Sequence, residues 1–226
     1  MNHLPVKTYK HALYPNGSVT QWFGVNAALY GKAVCYPDAS MPTKKYCLSG
    51  HNGIDIVAPW GTPMYAVEDG IITDVSHSTT GYGKSLKIMS DAGEVVNEWV
   101  FGHCSEIFVK NGQTVTAGQL VANMGNTGFV VSGATPYWKY NPYAGTHLHL
   151  GKRVWRKVDT NYTMVLKGQP LAMVDYYNGF YGYVDFSAEL GALVGLVDTM
   201  DVAAKRLTLN SLYNQLAAVI KQQRSS

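Results

Sequence analysis

The chain has 226 residues, 46% of them hydrophobic and 15% charged, long enough for one buried core with an appendage and too apolar for a disordered chain. A formal net charge of +3 is too slight to point to nucleic acid or a membrane surface as partner. No stretch is apolar for long enough to span a bilayer, and the opening MNHLPVKTYKHALYPNGS lacks the apolar segment of a secretory signal.

Residues 1–17 read as an N-terminal arm. From Ser18 to about Leu171, short apolar runs broken by Gly, Asn and Pro read as strands. VTQWFG is expected to form an edge strand ending at Gly24, and a long polar loop, Val25 to Gly50, follows it. Cys35 and Cys47 bracket part of that loop and either pair or remain free thiols, while Cys104 is expected to pack as a small apolar residue. GIDIVAP alternates Ile54 and Ile56 with Asp55 and Val57, the period of a strand. MYAVEDGIITDVSH reads as strand, turn and strand, with Glu68 and Asp69 in a hairpin turn. SLKIMSDAGEVVNEWVFGH reads as a hairpin turning at Asp91–Gly93, and GQTVTAGQLVANMGNTG carries glycines at the intervals a small barrel or sandwich requires.

A second long loop, Phe129 to Gly145, contains Tyr137, Trp138, Tyr140 and Tyr143, after which THLHLGKRVW returns to strand alternation. Beyond Ser187 the apolar spacing becomes helical: Leu190, Leu193, Val194 and Val197 share one face, as do Leu212, Tyr213, Leu216 and Ile220. The pattern predicts a mainly β domain over residues 18–186 with an α-helical extension over 187–226.

Five residues in three motifs carry the chemistry: His51 and Asp55 in HNGID, His103 in FGH, and His147 and His149 in HLH. On a strand, His147 and His149 point to one face while Leu148 and Leu150 pack behind. Gly53 lets the backbone bend between His51 and Asp55. A catalytic zinc site takes three protein ligands and keeps the fourth position open. A His, Asp, His set meets that count, with two histidines left over for proton transfer.

These motifs resemble the lysostaphin-type zinc metallopeptidases, peptidoglycan endopeptidases with a duplicated hybrid-motif β fold. The match runs in order through QWFG, HNGIDIVAPWGTPMYAVEDGIITDV, FGHCSEIFVKNGQTVTAGQLVANMGNTG and THLHL, roughly Val19 to Arg153. The resemblance implies an antiparallel β-sandwich and barrel hybrid, one Zn2+ per chain held by His51, Asp55 and His149, and His103 and His147 as catalytic residues. It also implies bacterial peptidoglycan as substrate and action outside the cytoplasmic membrane. An endolysin or virion-associated lysin delivered by a phage fits the same features. The sequence departs from the family in the insertion between Gly128 and His147, in Thr146 before HLH, in Leu150–Gly151 after it, and in the helical extension. The insertion places Tyr137, Trp138, Tyr140 and Tyr143 as candidate substrate-binding residues, with packing of the loop onto the domain expected for at least two of them. The rival function is a metal-free member of the fold acting as a wall-binding, activating or phage structural module, which would be expected to lack several ligand positions.

Overall fold

A computed structural model describes residues 5–6, 19–33, 35–37, 45–132 and 135–191. Two antiparallel sheets face each other across one core. The larger runs in the order β1 (Val19–Gln21), β4 (Ile54–Ile56), β14 (Leu148–Lys157), β8 (Val95–Gly102), β7 (Lys84–Asp91), β6 (Gly70–His77) and β10 (Thr114–Val115). β16 (Gln169–Met173) also pairs with β14, and β15 (Met164–Leu166) pairs with β16. The smaller sheet joins β5 (Pro63–Tyr65), β11 (Leu120–Met124) and β9 (Cys104–Ile107).

The alternation read from the sequence dictates which face is buried. Ile54 and Ile56, Leu148 and Leu150, Leu86 and Ile88, and Trp99 and Phe101 all turn inward and are fully buried. There they meet Met64, Val121, Ala122 and Met124 from the smaller sheet. Cys104 lies in this core as expected, and burial pushes its thiol up to about 12. The opposite face of the larger sheet is covered in two patches. Val100 packs with Leu48, Tyr181 and Tyr183, and Met89, Val96 and Trp155 pack under the β15–β16 hairpin with Leu171. Among the described residues the architecture is an open arrangement of two main sheets, without a closed barrel.

Several local expectations change. The Val25–Gly50 segment holds helix α1 (Ala27–Ala33) and a small hairpin of β2 (Cys35–Pro37) and β3 (Lys45–Cys47). Cys35 and Cys47 are directly opposed in that hairpin and form a disulfide. The Phe129–Gly145 segment contains β12 (Val131–Ser132), β13 (Thr135–Pro136) and a 3-10 turn at Tyr137–Lys139. β5 and β6 are not a hairpin, because they belong to different sheets. Glu68 between them is buried and accepts hydrogen bonds from Trp99 Nε1 at 2.9 Å and Asn97 Nδ2 at 3.2 Å. Asp69 accepts from the Ala117 amide at 2.7 Å.

The proposed domain edges are not marked by loss of packing. Val6, within the expected arm, is buried in the main core, and the Pro5 carbonyl accepts the Tyr65 amide at 2.8 Å. At the other end residues 187–191 are helical, and Leu190 joins the same core. His3, His11 and the helical faces expected beyond residue 191 lie outside the described residues. No helix among the described residues is long and apolar enough to cross a membrane.

Candidate metal centre

Strand register builds the site. Asp55 on β4 lies directly opposite His149 on β14, and His149 is opposite Gly102 on the far side, where β8 ends. Because Ile54, Ile56, Leu148 and Leu150 claim the core face, Asp55 and His149 must project together on the other. His51 arrives from the turn before β4. Its backbone is clamped by the Gly24 amide donating to its carbonyl at 2.8 Å and its own amide donating to Val25 at 2.9 Å. Gly53 is needed for close approach: a Cβ there would lie 2.6 Å from His149 Cε1 and 2.6 Å from the Leu150 carbonyl.

Three ligand atoms form a nearly equilateral triangle. His51 Nε2 is 3.0 Å from His149 Nδ1 and 3.1 Å from Asp55 Oδ1, and His149 Nδ1 is 3.1 Å from the same oxygen. His51 Nδ1 faces the Trp22 carbonyl at 3.3 Å. A carbonyl only accepts, so the ring proton sits on Nδ1 and Nε2 presents a bare lone pair. That lone pair faces a carboxylate oxygen, also an acceptor. Acceptors converging at this spacing suit a cation at the centre, and edges of 3.0–3.1 Å come close to the roughly 3.3 Å between tetrahedral donors about 2.0 Å from a zinc ion. The residues therefore fit the metal implied by the motif, and the His51, Asp55 and His149 group could hold one ion.

Electrostatics maintain the donor forms. Burial would raise the Asp55 carboxyl, but the neighbouring rings of His149, His51 and His147 hold it well below the usual carboxylate range. Burial lowers the pKa of His149, and the bond and charge of Asp55 offset this only in part. Burial also drives His103 well below its ordinary value, assisted by the charges of His147 and His149. Neutral imidazoles are the forms that bind metals or accept protons.

His103 and His147 stand beside the triangle with ring centroids 4.7 Å apart. His103 adopts a left-handed backbone, φ +62°, as the chain leaves β8 for β9. Its Nδ1 donates to the Thr127 carbonyl at 2.8 Å, and Nδ1 of His147 donates to the Gly145 carbonyl at 2.7 Å. Both rings therefore keep Nε2 free of these anchors, and His147 Nε2 lies 3.7 Å from Asp55 Oδ2. His77, by contrast, is exposed at the end of β6.

A groove of ≈ 480 Å³ opens from Asp55 and His147. Tyr137 and Tyr143 line it, whereas Trp138 and Tyr140 do not. The Trp138 indole is held back by donating to the Gly128 carbonyl at 3.0 Å, and Tyr140 packs on Tyr137 at 5.7 Å. Two aromatic residues at the site were not anticipated from the sequence. Trp60 meets Tyr143 edge to face at 5.8 Å across the groove, and Tyr82 stacks on His149 at 4.8 Å. The GYGK and APWGTP runs carrying them look like ordinary turns.

The family model described as Peptidase family M23 matches residues 49–171, more than half of the chain and a span that contains all five motif residues. The chain belongs to peptidase family M23. This metallopeptidase family includes relatives of different description. The chain is 40% identical over 78 residues to an uncharacterized lipoprotein, YgeR, of Escherichia coli, covering 34% of this chain and 30% of that protein. It is 29% identical over 121 residues to the peptidoglycan DD-endopeptidase ShyA of Vibrio cholerae, covering 54% of this chain and 21% of that one. It is 34% identical over 79 residues to the glycyl-glycine endopeptidase ALE-1 of Staphylococcus capitis, covering 35% and 21%. The M23 chain thus matches less than a third of the length of each of these curated relatives, and those with a named activity are peptidoglycan-cleaving hydrolases or glycyl-glycine endopeptidases.

Proposed function

We propose that this M23 chain is a zinc-dependent endopeptidase, with one Zn2+ held by His51, Asp55 and His149, that cuts amide bonds in peptidoglycan stem peptides or cross-bridges outside the cytoplasmic membrane. The observation that carries the reading is the triangle of two imidazole nitrogens and one carboxylate oxygen at 3.0–3.1 Å, a donor set that suits zinc. When bound, zinc supplies Lewis acidity at the scissile carbonyl and acidifies water from a pKa of about 15.7 towards 7.

The chain's own residues supply orientation and proton transfer. His103 and His147 are each fixed through Nδ1 by a backbone carbonyl, with the His103 ring 6.2 Å from that of His149 and His147 Nε2 3.7 Å from Asp55 Oδ2. In the proposed reaction one Nε2 takes the proton of the attacking water and the other stabilises the oxyanion or protonates the leaving amine. Tyr137 and Tyr143, with Trp60, present ring surface to an extended peptide in the groove. The retention of all five motif residues favours this reading over a metal-free binding or activating module.

Metal analysis of the purified protein should find about one zinc per chain. Mass spectrometry of digested walls of several cross-link types should find new amine and carboxyl termini that disappear after chelation. Undiminished production of termini by chelated, metal-free protein would overturn the metal reading, and the absence of new termini from every wall type would overturn the substrate.

A further inference from the structure

His51, His103 and His147 are each oriented in one way: the ring nitrogen facing away from the cluster donates to a backbone carbonyl. His149 is different. Its Nδ1 points into the triangle, and its Nε2 is buried with no hydrogen-bond partner among the described residues. A metal-binding histidine normally donates its second N–H to a carbonyl or carboxylate, which fixes the plane of the ring. Some other contact must fix His149.

That contact is Tyr82. Its ring stacks on His149 with centroids 4.8 Å apart and an interplanar angle of 27°. Its hydroxyl accepts the Asn52 side-chain amide at 2.8 Å and donates to the Tyr183 hydroxyl at 3.2 Å. Asn52 lies between His51 and Gly53, so this bond ties the phenol to the turn that presents His51. The Tyr82 backbone carbonyl accepts the amide of His103 at 2.8 Å, holding the residue whose φ is +62°. Tyr183 is in turn fixed, being almost wholly buried with the Arg153 guanidinium 4.0 Å over its ring. One residue thus touches the supports of His51, His149 and His103 at once.

We infer that Tyr82 is a positioning residue of the metal centre, its aromatic face replacing the hydrogen bond that His149 lacks. The inference rests on the proposed zinc site but does not follow from it, since a ligand triangle says nothing about what orients each ring. Its ring and its hydroxyl have separable duties. The ring sets the plane of His149, and the hydroxyl steadies the His51 turn through Asn52.

The test uses the full chain with Tyr82→Leu, Tyr82→Met and Tyr82→Phe. Zinc affinity is measured by competition with a chromophoric chelator. The visible absorption of the cobalt(II)-substituted protein reports ligand geometry, and melting of the metal-free protein reports the fold. Removing the ring should weaken zinc binding about ten- to hundredfold, the range for supports of metal ligands, and should alter the cobalt bands. The metal-free melt should shift far less. Tyr82→Phe should retain the wild-type cobalt spectrum and most of the affinity. Should Tyr82→Leu fail to fold, Tyr82→Met, closer in length, carries the same expectation. Wild-type affinity and spectrum in a folded non-aromatic variant overturn the inference alone, as does a loss in Tyr82→Phe equal to that in Tyr82→Leu. A wild-type chain that takes up neither ion overturns the zinc reading, and this inference with it.

Discussion

Gly53→Ala tests whether His149 has the tight seat described for it. The added Cβ would lie 2.6 Å from His149 Cε1, 2.7 Å from His149 Nε2 and 2.6 Å from the Leu150 carbonyl oxygen. The last contact is backbone, and Leu150 is paired with Ile54 on one side and Phe101 on the other, so the imidazole is the part free to move. Overpacking of this kind costs about 1–3 kcal/mol. For a chain of this size each kcal/mol lowers the melting temperature by about 2–4 °C, so the metal-free protein should melt roughly 2–12 °C lower. A displaced imidazole should also weaken zinc binding by at least about tenfold. The assay is a pair of thermal melts and a competition titration. Gly31→Ala in α1 is the control, because its Cβ would meet only the Leu48 carbonyl at 3.7 Å and Ala gains up to about 1 kcal/mol in a helix. If Gly53→Ala melts and binds zinc like the parent, the packing argument for His149 is wrong.

Other consequences are measurable in the same preparations. His51→Ala, Asp55→Ala and His149→Ala should each lose bound zinc along with wall-lytic activity; full zinc occupancy after removal of any two would refute the ligand set. His103→Ala and His147→Ala should keep zinc but lose turnover by about a hundredfold or more, and a His147→Ala protein that loses zinc while His149→Ala keeps it would reverse their roles. Trp60→Ala or Tyr143→Ala should raise KM for a soluble peptide with little change in kcat, since binding remote from the reacting bond is being removed; equal kcat and KM for both variants and parent would remove the pair from substrate recognition. Thiol alkylation of the native protein should modify none of the three cysteines, because Cys35 and Cys47 are paired and Cys104 is buried with its thiol pushed up to about 12; rapid labelling of Cys104 would contradict the core packing.

The parts of the site that sequence could reveal are those encoded by strand periodicity. His147 and His149 around Leu148, and Asp55 between Ile54 and Ile56, identify a polar and an apolar face without any long-range information. Periodicity cannot reveal which strands are neighbours. Glu68 and Asp69 have the composition of a hairpin turn, yet the chain there passes from one sheet to the other, and Glu68 becomes a buried acceptor for Trp99 and Asn97. Helix α1 is only seven residues long, too short to impose a clear helical period, and the Cys35–Cys47 hairpin that follows it depended on a pairing that spacing left open. Trp60 and Tyr143 are far apart in sequence, and their contact exists only because both groove walls are folded. Four similar aromatics in one insertion divided between groove and packing for an equally non-local reason: Trp138 finds the Gly128 carbonyl, and Tyr143 does not turn inward.

The register also explains why the ligand set can be rigid while the groove beside it varies. Asp55 and His149 are fixed by a ladder whose reverse face is fully buried, so moving either ligand would disturb Ile54, Ile56, Leu148 or Leu150 in the core. A one-residue slip of either strand would turn its ligand into the core and its two flanking apolar side chains out of it, an outcome burial strongly opposes. The aromatic wall has no such constraint. Tyr143 is 67% exposed and Trp60 48% exposed, and their edge-to-face contact is worth only about 0.5–1.5 kcal/mol. Substitution there can change what is bound at small cost to the fold. What the groove binds can therefore change while His51, Asp55 and His149 stay tied to the core through the strands and the turn that present them.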